Sequence, residues 1–125
     1  MSKWSPARQN IPLWRGDDLP PAIFNVRSKD QAGTITPVDL TGYQAEINVE
    51  FDSGDVLIST TESGSPLSIS IPPGETIPFR ITWNYGSAFT ELVPRGRGVD
   101  YKLWLINPSG ERQTYLYGQI LAGDN

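Results

Sequence analysis

Proline and glycine punctuate this chain so evenly that no long regular helix fits in it. Eleven prolines and twelve glycines are spread over 125 residues, and the longest stretches free of both, 22–32 and 43–53, run to eleven residues. A helix interior tolerates glycine poorly and proline hardly at all. Bundles, coiled coils and helical solenoids are therefore excluded, as is a membrane-spanning helix, which needs ~20 apolar residues in a row. What remains is short extended segments joined by turns. Val, Ile and Thr outnumber Ala, Leu and Met, and β-branched side chains favour a pleated surface. A hydrophobic content of 38% is enough for a core.

Alternation locates the strands. Tyr43, Ala45, Ile47, Val49 and Phe51 share one face, against Gln44, Glu46, Asn48 and Glu50 on the other, the period of a half-buried strand. The polar turn 52–55 and the run 56–61 complete a hairpin. Further strands are expected at Ile11–Trp14 (an edge strand, because of Pro12), at 22–27, at Leu67, Ile69 and Ile71, and at Phe79, Ile81, Trp83 and Tyr85. Residues 29–37 read as a polar connection, and 87–93 as one helical turn or a loop. A last hairpin runs in over 101–106, turns at Asn107-Pro108-Ser109-Gly110, and runs out over 112–121. Seven or eight strands with turns about every eight to twelve residues suggest an antiparallel, immunoglobulin-like β-sandwich, with a small barrel as the alternative. The first ten residues read as an arm, and 11–125 as a single domain.

The residue types present narrow the chemistry. There is no cysteine and no histidine. Disulfides, thiol nucleophiles, Cys/His zinc sites, Ser–His–Asp triads and imidazole acid–base catalysis are all excluded. The paired carboxylates Asp17/Asp18, Asp52/Asp55 and Glu46/Glu50 are best explained by turns and a wet strand face, and the Asp52/Asp55 pair lacks the spacing of a calcium loop. No catalytic residue, metal or cofactor is expected. A formal net charge of −4 argues against nucleic acid as a partner. The amino terminus, MSKWSPARQN, lacks the apolar run of a secretory signal, so assembly in a cytoplasm is expected, with no membrane association.

Aromatic side chains are the most suggestive group. Phe24, Tyr43, Phe51, Phe79 and Trp83 read as core. Trp4, Trp14, Trp104, Tyr115 and Tyr117, with Arg95 and Arg97 in a glycine-bounded loop, are the candidate partner-binding residues, since Trp, Tyr and Arg are enriched at interfaces. The last hairpin carries apolar groups on both faces, and in so small a domain one cover can come from another subunit, so a homo-oligomer is expected. Exposed aromatics, with Trp104, Tyr115 and Tyr117 as candidates, would alternatively form a sugar-stacking platform, although a simple hairpin register puts Trp104 and Tyr115 on opposite sides. The tripeptide Arg15-Gly16-Asp17 and the segment Leu92-Val93-Pro94-Arg95-Gly96 are read as a turn and an exposed loop.

Three segments carry a family resemblance: Leu13-Trp14-Arg15-Gly16-Asp17-Asp18; Pro37-Val38-Asp39-Leu40-Thr41-Gly42-Tyr43-Gln44-Ala45-Glu46-Ile47; and YKLWLINPSGERQTYLYG over 101–118. Together they resemble small structural proteins of tailed phages and prophages, and are similar to the immunoglobulin-like N-terminal domain of baseplate upper proteins. The resemblance implies a non-enzymatic virion component, assembled in the host cytoplasm and bound to other virion proteins: a tail, baseplate or fibre adaptor, or a head decoration. A carbohydrate-binding module is the alternative function. The Asp39–Gly42 patch also has a local reading: Asp39 or Thr41 bonds nearby backbone, and Gly42 permits a tight turn into the strand.

Overall fold

The computed structural model describes residues 7–14, 21–94 and 97–123, and the side chains of these except Trp14, Ser87, Ala88 and Ala122. It is all-β. In chain order the strands are β1 (Ala7–Arg8), β2 (Ile11–Trp14), β3 (Ala22–Asn25), β4 (Arg27–Lys29), β5 (Ile35–Pro37), β6 (Gln44–Phe51), β7 (Gly54–Ser59), β8 (Leu67–Ser70), β9 (Arg80–Trp83), β10 (Val99–Ile106) and β11 (Arg112–Gly123), with one helical turn, α1 (Gly86–Thr90), before β10. No helix among the described residues is long and apolar enough to cross a membrane.

The main sheet runs β1-β11-β10-β6-β7, and β2 also pairs with β11. A second sheet has the order β3-β9-β8, and β4 and β5 form a separate small hairpin. Ala45, Ile47 and Val49 of β6 are buried and their polar neighbours are not, as the alternation requires. Val99, Tyr101, Leu103 and Leu105 of β10, with Leu116 and Ile120 of β11, extend the same apolar face. Phe24, Leu67, Ile81 and Trp83 from the second sheet join them in one cluster. The helical turn closes it. Phe89 meets Trp83 edge-on at 4.8 Å between ring centroids and Phe51 at 5.8 Å, linking the two sheets. Burying aromatic groups of this size contributes roughly 2–3 kcal/mol each before entropy is counted.

Several expectations are corrected. The extended run from Ala22 is interrupted at Val26, whose N–H donates to Phe79 O while its carbonyl accepts from Val38 N. The chain thereby leaves the second sheet and continues as β4, which pairs with β5, so the expected polar connection 29–37 holds the end of β4 and the whole of β5. Ile71 lies beyond β8 and is exposed, and Tyr43 and Phe51 are only half-buried against the core. The sheet is not purely antiparallel, because β1 and β2 run parallel to β11. Within the N-terminal ten residues, Ala7–Arg8 already form strand.

Gly118 explains how β1 and β2 share β11. Its backbone passes so close to the N-terminal segment that an added Cβ would lie 2.9 Å from the Gln9 carbonyl carbon and 3.1 Å from Asn10 Oδ1. Gln9 N donates to Tyr117 O, and Gln119 N donates to Asn10 Oδ1. Tyr101, opposite Gly118 in the register, donates its hydroxyl to Gln9 O at 2.5 Å. Burial pushes that hydroxyl up to about 12 from its ordinary 10.

Candidate functional site

The candidate residues separate according to the faces of the closing hairpin. In β10 the odd positions face the core, leaving Lys102 and Trp104 on the outer face beside Asn48 and Glu46 of β6. The hairpin register slips between Leu103 and Trp104: Leu103 pairs with Leu116, whereas Trp104 pairs with Thr114. Tyr115 is the extra residue of this bulge. It packs against the core, and its hydroxyl accepts a long bond from Arg27 N at 3.4 Å. Trp104 and Tyr115 thus lie on opposite faces, as a simple register also predicts, and the three aromatics do not form one platform.

Trp104 is half-buried. The Arg112 guanidinium carbon sits 4.5 Å from its ring centroid, and Arg112 Nη2 reaches Glu46 Oε1 at 2.7 Å. A cation over the indole face and a carboxylate beside the cation give this patch of the outer face a defined shape. Tyr117 lies across from Lys102 on the same face and is 42% exposed. It helps line a shallow cleft of about 260 Å³ with Arg8, Glu50, Asp100, Lys102 and Gln119. Asp100 stands directly opposite Glu50, an unfavourable pairing of like charges that Gln119 Nε2, 3.4 Å from Asp100 Oδ1, partly offsets. The cleft combines both charge signs with an aromatic ring, which suits a polar protein surface better than an apolar ligand.

Sequence reasoning missed Arg8, Asp100 and Lys102. The parity of β10 contains the signal for Asp100 and Lys102, since both alternate with the buried positions. Arg8 joins them only through the parallel pairing of Arg8 with Tyr117. Arg97, two residues before β10, is exposed and ion-paired with Asp52 at the β6–β7 turn. Trp14 belongs to β2, paired beside β11. Trp4, Arg95 and the Asp17/Asp18 pair lie outside the described residues. Of the other carboxylates noted in the sequence, Asp55 and Glu46 have partners, Asn48 Nδ2 donating to Asp55 Oδ2 at 3.2 Å and Arg112 to Glu46, while Glu50 faces Asp100. No group of acidic side chains that could hold a metal ion occurs among the described residues.

The two turns at one end of the main sheet are built alike. Asp39 Oδ1 accepts from Thr41 N at 3.0 Å and from Thr41 Oγ1 at 2.6 Å, and these bonds hold its carboxyl below the usual range. Asn107 Oδ1 accepts from Ser109 N and Glu111 N, and its amide donates to Glu111 Oε1. Gly42, at φ +79°, follows the first turn, and a Cβ there would stand 3.1 Å from Pro108 Cγ of the second. The patches Asp39–Gly42 and Asn107–Gly110, more than sixty residues apart, therefore lie side by side.

No model of a known protein family matches this sequence, and no curated protein matches it.

Proposed function

We propose that the chain is a non-enzymatic structural subunit of a tailed-bacteriophage particle. In this reading it is an immunoglobulin-like β-sandwich that joins other virion proteins at the tail, baseplate or fibre, or decorates the head. One observation carries the reading. The segments of phage resemblance, separate in the sequence, belong to adjoining strands of one sheet: Leu13 and Trp14 to β2, 44–47 to β6, and 101–118 to β10 and β11. Their turns also meet at Gly42 and Pro108. A resemblance that coincides with one packed unit is better support than the same letters scattered over a surface.

The outer face of that sheet supplies the contact chemistry. Trp104 under Arg112, and Tyr117 beside Arg8 and Lys102, are residue types that anchor protein interfaces. Gold-labelled antibody against this protein should decorate purified particles of the encoding phage, with the label's position separating head from tail. Soluble protein with an accessible epitope and no label on particles would overturn the reading. Tyr117→Ala combined with Lys102→Ala should reduce incorporation while leaving the fold intact, as read by circular dichroism.

A further inference from the structure

We infer that the indole N–H of Trp83 is bonded to the ring face of Phe89, and that this bond makes the α1 turn a clasp that fixes the two sheets against each other. The bond is independent of the subunit reading. Trp83 is fully buried, and its Nε1 is the one buried side-chain nitrogen or oxygen among the described residues that has no hydrogen-bond partner. A buried donor without an acceptor has given up its bond to water for nothing, and native interiors seldom keep one.

The surroundings of the ring leave few acceptors. Trp83 lies on the middle strand of the second sheet, between Ala22 of β3 and Leu67 of β8. Both neighbours present only hydrocarbon. The main-chain oxygens of a middle strand are committed to the ladders on either side. A bridging water needs room and several polar partners. The cleft of about 370 Å³ between β2 and β3 is lined by Phe24 and Tyr85 but not by Trp83, and the outer-face cleft does not include Trp83 either.

What the indole does meet is aromatic. The Phe89 ring lies 4.8 Å away between centroids at an interplanar angle of 70°, and the Tyr85 ring lies 5.8 Å away at 77°. Rings so steeply inclined set the edge of one against the face of the other, and an aromatic face carries the negative charge that accepts an N–H. Phe89 is the nearer ring and belongs to a different element, so the bond ties α1 to β9. Phe89 meets Phe51, at the end of β6, at 5.8 Å and 62°. The line Trp83–Phe89–Phe51 therefore crosses from the second sheet to the main sheet through the helical turn. Dispersion alone lets packed rings slide, whereas a donor aimed at a ring centre fixes where α1 sits.

Nuclear magnetic resonance of the full chain tests the bond directly. The sequence has four tryptophans, so four indole N–H signals are expected, and the one lost in Trp83→Phe belongs to Trp83. A proton held over a ring face is shielded. The Trp83 signal should therefore lie upfield of the others, exchange most slowly with solvent, and show a nuclear Overhauser contact to the Phe89 ring protons. Phe89→Leu, which keeps apolar bulk, should return it to the range of the others, and Tyr85→Leu should leave it upfield. Phe89→Leu should also speed amide exchange about tenfold in β9 and at the end of β6 together. In the unsubstituted chain, a Trp83 signal among the others, or one in contact with a bound water, would overturn the bond without any variant having to fold. A signal that moves with Tyr85→Leu and not with Phe89→Leu would refute the choice of ring. Exchange in β6 that is untouched by Phe89→Leu would refute the clasp.

Discussion

The two edges of the main sheet are handled in opposite ways. At one edge the chain's own N-terminal segment lies along β11: β1 and β2 add in parallel, and the Gln9–Asn10 step between them crosses Gly118 under the Tyr101 hydroxyl. At the other edge β7 pairs with β6 alone among the described strands. Strand chemistry does not separate them, since both edges carry short runs with aliphatic side chains. The difference lies in where the rest of the chain goes. A sheet edge is satisfied when a segment close in space has length to spare, and residues 7–14 reach β11, whereas no described strand pairs with the outer side of β7 and only its end, at Ser59, is covered by the following turn.

The comparison is sharpest when the shared centre is removed first. Leu103→Ala, between the two edges and fully buried, should cost about 3 kcal/mol in urea unfolding and should lower amide protection at both edges alike. Gly118→Ala should be specific to the closed edge. The Cβ has no room against Gln9, and a loss of about 2 kcal/mol is expected, with exchange protection falling over 7–13 and not over 54–59. Equal loss at both edges would break the distinction.

Tyr101→Phe should cost about 1 kcal/mol for the lost bond to Gln9 O. It also has a pH signature. The folded hydroxyl titrates at about 12 and the unfolded one near 10, so on raising the pH the unfolded state loses its proton first. The stability tied to Tyr101 is therefore complete below about pH 10 and declines as the pH rises toward 12. The phenylalanine variant should lack that component of the decline. The smallest effect is expected at the open edge: Leu57→Lys, assayed at low concentration, should change stability by no more than about 0.5 kcal/mol. A larger loss would mean that β7 packs more tightly than its exposure indicates.

The hairpins were legible because their residues report burial locally. Ala45, Ile47 and Val49 alternate, Asp52-Ser53-Gly54 turns, and the 99–121 hairpin repeats the same logic around Asn107 and Gly110. The β4–β5 hairpin was not legible. Arg27, Lys29, Ile35 and Thr36 are exposed, so no buried face imprints a period on them. The bulge at Tyr115 was also invisible, because one extra residue shifts the later side chains without altering their composition. Of the candidate site, Trp104 and Tyr117 were read from residue type, whereas the outer-face cleft needed Arg8 beside Tyr117, a pairing no local pattern encodes.

By itself the sequence determined that this protein is built from short strands, which residues of β6 face inward, and where the tight turns fall. These follow from proline and glycine geometry and from the two-residue period of a strand, which act within a few residues. Only the tertiary structure decided that residues 7–14 run parallel to β11, that Val26 hands the chain from one sheet to another, and that β7 is left at an edge. Those outcomes depend on which backbone donors and acceptors remain free once the core has closed, a balance over the whole chain.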